Sequence, residues 1–257
     1  MVGVAQLAER LVVVQEVAGS TPVAHPHEGW HLMPSRHKGC TGHPVQPLLV
    51  STPRRSASGE VPKDPSAMTV LPITIWGEPV LHRRAAEVEV FDDELRQLIA
   101  DMFETNDKAN GVGLAAPQIG VGKRIFVYKY DNEDGAPPSG VLVNPVLTLS
   151  KVSGALPDPD EEVEGCLSFP GGQYPLKRAE WARVKGFDGY GKPVEFEATG
   201  WFARVMQHEY DHLDGKLYVN RLIDRYARKA MKQAKKSGWG VPGLTWMPGV
   251  DPDPFGH

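Results

Sequence analysis

The feature that most constrains this chain is the pentad His208-Glu209-Tyr210-Asp211-His212, an H-E-x-x-H pattern. Residues four apart lie one above the other on an α-helix, so His208 and His212 can present two imidazoles to one metal ion while Glu209 lies beside it. The chain must then fold so that a helix carries these side chains to a place where a metal can activate water. Because bare pentads also arise by chance in amphipathic helices, a third ligand is needed.

The residues around the pentad predict that helix. Apolar residues recur at helical spacing on both sides, namely Trp201, Phe202, Val205, Met206 and Leu213. Thr199 is placed to cap the N-terminus, and Gly215 supplies a stop after the last apolar position. The segment therefore has the pattern of a helix with one buried face.

Composition excludes several function classes. The 257 residues carry a formal net charge of -4 with a pI near 6.1, which argues against a general or sequence-specific nucleic-acid binder. No apolar run is long enough to span a membrane, and no secretory signal surrounds the apolar cluster at 11–14. Cys40 and Cys166 are too few for a disulfide framework, so we expect a cytoplasmic protein.

Residues 1–67 lack the periodicity of folded protein and are rich in proline, glycine, serine and histidine. We interpret them as a disordered or spurious N-terminal extension. Leu11-Val-Val-Val-Gln15 can be encoded as a stem around a loop with the anticodon GTG, and Gly19-Ser-Thr-Pro-Val23 as a T-arm. We therefore predict that Met1 to about Pro26 is a translated histidine-tRNA gene and that translation starts at Met68. The alternative is an authentic disordered leader.

Downstream of Thr69 the sequence combines one early helix with several short strands. Asp92 is the predicted N-cap of a helix that ends near Gly111 and has an apolar stripe. The acidic stretch 151–162 has the composition of a solvated loop. Strands are predicted at 124–129, 141–149, 182–188 and 193–198, the last two joined by a hairpin turn at Gly189-Tyr-Gly-Lys192.

Two further stretches place glycines beside polar residues. Gly111-Val-Gly-Leu-Ala-Ala-Pro-Gln-Ile-Gly120 lacks the third glycine of a dinucleotide fingerprint, so we interpret it as a loop that approaches a ligand, with Gln118 as its uncharged polar side chain. Glu164-Gly-Cys-Leu-Ser168 places Cys166 ahead of a sharp turn. A lone cysteine is commonly a small buried apolar residue, but here it is also a candidate for the missing third ligand.

Three stretches in order, Gly111-x-Gly-x-Ala-Ala-x-Gln118, Glu164-Gly-Cys-Leu-Ser168 and Gln207-His-Glu-x-x-His212, closely resemble the signature motifs of the peptide deformylases. The resemblance covers about Thr69 to the C-terminus and gives a catalytic domain at 68–257. It implies an α+β fold with antiparallel β-sheets packed around a central metal-binding helix. It also implies a metal-dependent hydrolase that removes the formyl group from the initiator methionine of newly synthesised polypeptides and releases formate.

The resemblance also implies a role for particular residues. The metal ligands would be Cys166, His208 and His212, and the acid/base would be Glu209. The oxyanion donors would be Gln118 and the backbone N–H of Leu167, while Val112 and Gly113 would line the path of an extended peptide. Helix geometry adds Val205, one turn before His208, as a wall of the pocket for the methionine side chain.

The chemistry agrees with those roles. Two imidazoles and a thiolate leave a fourth tetrahedral position for water, whose pKa a divalent metal lowers to about 7. The family favours one ferrous ion per chain, with zinc, nickel or cobalt as substitutes. The residue types alone indicate only a tetrahedral, borderline-soft metal.

Two other readings of the pentad use the same residues. A zincin-like metalloprotease takes a downstream His or Glu as its third ligand, but His257 is the only histidine after His212, and no glutamate follows Glu209. A structural metal module needs four protein ligands, and the region after residue 68 has only one cysteine.

Residues near the motifs and after the pentad carry further expectations. Glu164 either orients a neighbour or forms a surface ion pair, and Asp211 is structural or faces solvent. The segment 216–223 is expected to cross the surface. Asp224 is the predicted cap of a basic helix through Lys236, which either contacts ribosomal RNA transiently or presents a solvated face.

Overall fold

The computed structural model describes residues 68–130 and 139–256. The predicted N-terminal extension at 1–67, the residue Cys40 and the stretch 131–138 lie outside the described residues. The predictions made for those segments are therefore not tested by the structure.

The described chain contains nine strands and three α-helices, together with short 3-10 segments. The strands are β1 (Ile73–Thr74), β2 (Gly113–Ala115), β3 (Ile125–Lys129), β4 (Ser139–Leu149), β5 (Val163–Cys166), β6 (Phe169–Pro175), β7 (Trp181–Phe187), β8 (Pro193–Thr199) and β9 (Thr245–Trp246). The α-helices are α1 (Asp93–Lys108), α2 (Gly200–Leu213) and α3 (Asp224–Lys236). The 3-10 segments are Pro79–His82, Ala116–Ile119 and Tyr218–Asn220.

Five strands form an antiparallel sheet in the order β2-β3-β4-β7-β8. The two-residue period of a strand sends alternate side chains of β3 to opposite faces. Ile125 and Val127 join the core that includes residues of α1, whereas Phe126 and Tyr128 join the core that includes residues of α2. The sheet therefore lies between these two helices, and the predicted α+β class is confirmed.

Two smaller antiparallel sheets complete the fold. Strands β5 and β6 pair with a register shift between Gly165 and Cys166, and the tight turn that follows pairs Cys166 with Phe169. Strands β1 and β9, the first and last of the described chain, pair with each other and place Ile73 opposite Trp246. Both small sheets contribute to the surroundings of α2 described below.

The predicted helices are present, with differences at their ends. Asp92 caps α1 by accepting a hydrogen bond from the Leu95 N–H at 2.9 Å, as predicted. Thr199 occupies the N-cap position of α2 without a side-chain capping bond. The prediction for Asp224 is wrong, because Ile223 is the N-cap of α3 and Asp224 begins its first turn. As an acidic residue in the first turn, Asp224 still stabilises the helix through the partial positive charge at the helix N-terminus.

Two further predictions, one about exposure and one about secondary structure, are also wrong. The segment predicted to cross the surface at 216–223 is largely internal, because Leu217, Tyr218 and Val219 are buried. The loop predicted at Gly111–Gly120 is instead strand β2 followed by a 3-10 segment. The hairpin turn between β7 and β8 is confirmed, with Phe187 opposite Pro193 and Gly191 at positive φ.

None of the helices within 68–130 and 139–256 combines the length and the apolar character needed to cross a bilayer. Helix α3 illustrates the contrast. Its inner face buries Tyr226, Ala230 and Ala234, while most of its remaining residues are charged. This pattern is that of an amphipathic helix packed on one side.

Candidate metal centre

Helix α2 carries both histidines of the pentad into the interior. His208 and His212 are fully buried, and their ring centroids lie 4.9 Å apart. The four-residue spacing accounts for this proximity, because it places both side chains on one face one turn apart. Phe202, Val205 and Met206 pack in the core cluster shared with the sheet and hold the helix in place.

Cys166 reaches the same place from the end of β5. Its Sγ lies 3.3 Å from His212 Nε2, and one ligand atom from each of Cys166, His208 and His212 lies within 4.8 Å of the others. The backbone N–H groups of Ser168 and Phe169 donate toward the sulfur and favour its thiolate. The turn after β5 therefore aims the sulfur at the two imidazoles.

The donor set suits a divalent metal ion. Burial raises the pKa of the Cys166 thiol well above its usual value, and the Glu209 carboxylate adds to that rise. Burial also lowers the pKa of His212 well below its usual value, which keeps the imidazole neutral and able to bind a metal. A thiolate in this interior needs a cation, and the three side chains have the composition to hold a metal ion that would supply it.

Glu209 lies beside this group without a hydrogen-bond partner for either carboxylate oxygen among residues 68–130 and 139–256. It is fully buried, and burial raises the pKa of its carboxyl well above the usual value. A Cβ added to Gly113 would lie 2.5 Å from Glu209 Oε1. Strand β2 therefore approaches the carboxylate so closely that any larger residue at position 113 would displace the Glu209 side chain.

Gln118 is fully buried and its amide orientation is fixed. The Ala115 N–H donates to Gln118 Oε1 at 2.8 Å, so the opposite end of the amide, Nε2, faces Cys166 Sγ at 3.9 Å. This arrangement leaves a hydrogen-bond donor directed at the group of ligands. Gln118, one of the residues singled out from sequence, therefore lies against Cys166.

Leu167 follows Cys166 in the turn between β5 and β6 and is 2 % exposed. Its carbonyl accepts a hydrogen bond from the Trp246 indole at 2.9 Å, and the next carbonyl, that of Ser168, accepts one from the Trp76 N–H at 2.8 Å. The backbone beside the sulfur is therefore fixed by β9 and by the residue two positions after β1.

Glu164 takes part in a buried ionic cluster, so the surface ion pair considered from sequence is wrong. Its carboxylate accepts two hydrogen bonds of 2.6 Å from Arg178 and one of 3.0 Å from Arg204, and Oε2 lies 3.7 Å from His208 Nδ1. Burial raises the pKa of Glu164 to about 7, although both arginines oppose the rise. Neither arginine stood out in the sequence, because both are remote from Glu164 along the chain.

Asp211 is 1 % exposed, so the solvent-facing alternative is wrong. Arg221 donates to both of its carboxylate oxygens, at 2.9 Å and 3.0 Å. Burial nevertheless raises the pKa of Asp211 to about 6. The pair ties the last turn of α2 to the segment that precedes α3.

The remaining predicted residues lie on the same two elements. Gly113 begins β2, at one edge of the five-stranded sheet, and Val112 directly precedes it. Val205 is fully buried in α2 within the core cluster that also contains Val112. The nine residues singled out from sequence therefore lie on β2 or directly before it, on the 3-10 segment after it, at the end of β5 with its turn, and on α2.

The polypeptide deformylase family matches residues 70–228, which is most of the described chain. The chain belongs to this family. Peptide deformylases of Mycobacterium sp. (strain JLS) and of Mycolicibacterium smegmatis are 54% and 55% identical to it over 197 residues. Each alignment covers 74% of this chain and 100% of the relative.

Solved deformylase structures share the fold. A peptide deformylase of Thermus thermophilus is 40% identical with a TM-score of 0.57, over 65% of this chain and 95% of that one. One from Synechococcus elongatus, solved in complex with actinonin, is 37% identical with a TM-score of 0.56, over 69% and 95%.

Family membership decides between the readings of the pentad. The chain is an enzyme of the deformylase family, a metal-dependent group that removes the formyl group from N-formyl-methionyl peptides. The protease and structural-module readings are therefore set aside. Within the described chain, Cys166, His208 and His212 form the group of side chains whose ligand atoms could hold that metal.

Proposed function

We propose that Cys166, His208 and His212 hold one divalent metal ion and that Glu209 is the general acid/base of deformylation. The observation that carries the proposal is the grouping of three ligand atoms within 4.8 Å beside a buried carboxylate without a hydrogen-bond partner in the described chain. When bound, a metal with three protein ligands provides a Lewis acid and lowers the pKa of water to about 7.

Glu209 moves the proton in this scheme. Its raised pKa lets the carboxylate accept a proton from the attacking water and then return it to the departing methionine amine. The close approach of Gly113 keeps the carboxylate beside the ligands instead of letting it turn away. Position and proton affinity thus both suit one residue acting first as base and then as acid.

Gln118 and Leu167 stabilise the negative charge that grows on the formyl oxygen. Gln118 Nε2 points at the site because its own oxygen is held by the Ala115 N–H. The backbone N–H of Leu167 is the second donor. Donors that are oriented before the reaction stabilise a transition state without a reorganisation cost, and loss of one such donor costs roughly a hundredfold or more in kcat.

The substrate peptide binds along β2. An edge strand offers backbone groups for an extended peptide, and the edge position of β2 supports Val112 and Gly113 as residues that line the peptide path. Val205 contributes to the apolar wall that receives the methionine side chain. The partners are therefore formylated nascent peptides.

Ferrous iron is the metal we favour, with zinc, nickel or cobalt as substitutes. A thiolate and two imidazoles accept all four ions, because this ligand set is borderline-soft. Cys166 must be reduced to act as a ligand, which suits a cytoplasmic enzyme. Metal analysis of protein purified anaerobically from its native host tests the preference, and a majority of zinc would contradict it.

The activity is tested with the full chain purified anaerobically and loaded with ferrous iron. We expect formate release from formyl-Met-Ala that is lost in Glu209→Ala at unchanged metal content. Glu89→Gln, which alters an exposed glutamate far along the chain, serves as the control and should retain activity. Metallated, folded protein without formate release would refute the proposal.

Residues 1–67 are proposed to be dispensable for this chemistry, with translation starting at Met68. The family match begins at residue 70, and the mycobacterial relatives are covered completely by 74% of this chain. Mass spectrometry of the native protein tests the start site. Peptides from residues 2–60 in the cell would refute it.

Helix α3 is proposed to touch ribosomal RNA transiently. Its basic residues are Arg225, Arg228, Lys229, Lys232, Lys235 and Lys236. Phosphate contacts made by such residues weaken with salt. Ribosome pelleting compares the wild type with a variant in which all six are glutamate, and equal pelleting would favour a solvated face instead.

A further inference from the structure

The sheet formed by β1 and β9 touches both segments that carry the proposed oxyanion donors. On β1, the Thr74 hydroxyl lies 3.1 Å from the Gln118 carbonyl and 3.4 Å from the Pro117 carbonyl. On β9, the Trp246 indole N–H donates to the Leu167 carbonyl at 2.9 Å. Gln118 and Leu167 lie far apart in sequence, so these side chains connect segments that the chain itself does not.

The contacts are built into the interior rather than the surface. Thr74 is 7% exposed and Trp246 is 8% exposed. A buried hydroxyl or indole N–H that lost its partner would be left without water to replace it, so both side chains favour this one arrangement. The carbonyls of Gln118 and Leu167, which accept these hydrogen bonds, are therefore held in place as well.

Backbone hydrogen bonds made by the same sheet and the residues after it also fix the turn after Cys166. The Trp76 N–H donates to the Ser168 carbonyl at 2.8 Å, so two consecutive carbonyls in the turn after Cys166 are fixed from one side. The Ile75 N–H donates to the Leu244 carbonyl at 2.9 Å and continues the pairing of β1 with β9. The two strands therefore form one hydrogen-bonded unit that contacts both donor segments.

We propose that the β1–β9 sheet is a brace that sets the spacing between the two oxyanion donors, with Thr74 and Trp246 as its positioning residues. Thr74 fixes the main chain of Gln118, whose side chain is already oriented by Ala115. Trp246 fixes the residue whose N–H is the second donor. Neither positioning residue is among those proposed to contact the substrate, so the brace acts on kcat through donor geometry.

The brace rests on the proposed roles of Gln118 and Leu167, and its test separates the two ideas. Thr74→Val removes the hydroxyl at nearly constant volume, and Trp246→Phe removes the indole N–H. Thr245→Val and Trp181→Phe are the matched controls. Thr245 is opposite Thr74 in the sheet but exposed, and Trp181 on β7 donates its indole N–H to the exposed Glu197 at 3.1 Å, outside both donor segments.

We expect each brace variant of the full-length, metal-loaded enzyme to lower kcat roughly three- to tenfold, the loss that corresponds to one hydrogen bond, at unchanged KM. Thr74→Ser, which restores a hydroxyl, should restore kcat. The controls should keep both constants. A Thr74→Val variant that kept its kcat would overturn the brace if Gln118→Ala lost activity, whereas retention by Gln118→Ala as well would refute the donor assignment itself.

Hydrogen exchange gives a readout that does not depend on turnover. Amides at 115–119 should exchange faster in Thr74→Val, and amides at 163–169 should exchange faster in Trp246→Phe, each without a change in the other segment. A uniform increase over the whole domain would mean general destabilisation and overturn the proposal. Unchanged exchange in both segments would also overturn it.

Discussion

Replacing Gly113 by alanine should disable the enzyme without unfolding it. An added Cβ would lie 2.5 Å from Glu209 Oε1 and 2.8 Å from Glu209 Cδ and Cγ. Gly113 is not among the glycines at positive φ, so the backbone of β2 accepts alanine. The strain therefore falls on the glutamate side chain.

The size of the effect follows from the distances. Ordinary contact begins at 3.4 Å, so the carboxylate must retreat by about 0.9 Å. A displacement of roughly 1 Å in a catalytic group can cost about a hundredfold in rate. We therefore expect kcat to fall about a hundredfold. Crowding of the buried Glu209 side chain should lower the free energy of unfolding by about 1–3 kcal/mol, which leaves the enzyme folded.

The assay measures formate release from formyl-Met-Ala, together with metal content and the thermal midpoint. Gly122→Ala is the matched control, because the nearest atom to its added Cβ is Val80 Cγ2 at an ordinary 3.7 Å. A Gly113→Ala enzyme with kcat within twofold of the wild type would refute the reasoning. So would a fall in kcat that merely followed a loss of metal.

Further predictions concern the metal and the core. Cys166→Ala should abolish stoichiometric metal binding, as measured by elemental analysis of the purified protein, and full occupancy would exclude the thiol as a ligand. Removing the metal with a chelator should lower the free energy of unfolding by about 2.7 kcal/mol if the metal had been present at a hundred times its Kd; an unchanged thermal midpoint would contradict this. Phe202→Ala, at a side chain 1% exposed between stacked rings, should cost about 3–5 kcal/mol in urea unfolding, whereas Val146→Ala at 59% exposure should cost less than about 0.5 kcal/mol.

Much of the site was predictable because its signals are local. The four-residue spacing of His208 and His212 works only on a helix, and α2 is that helix. The same holds for the Asp92 cap and for the hairpin between β7 and β8, where a few adjacent residues determine the geometry. Cys166 could be connected to them through its motif, since the need for a third ligand is a chemical argument rather than a structural one.

The parts that escaped prediction depend on residues brought together from distant points. The residues next to Glu164 in sequence do not indicate whether it is buried. It is the centre of a buried cluster because the fold brings Arg178 and Arg204 to its carboxylate. Likewise, Thr74 and Trp246 are ordinary strand residues by local pattern. Their importance comes from the partners that the fold gives them.

Isolated two-residue strands such as β1 and β9 have no stability of their own. Their pairing also determines when this part of the protein can fold during synthesis. Ile73 meets Trp246 only after every other described helix and strand has been translated and the C-terminal segment has left the ribosomal tunnel. Closing so large a loop carries an entropic cost and makes the contact a late one in folding. On the proposed roles, a growing copy of this enzyme has α2 before it has the brace for the oxyanion donors, and it gains full activity as one of the last events of its own production.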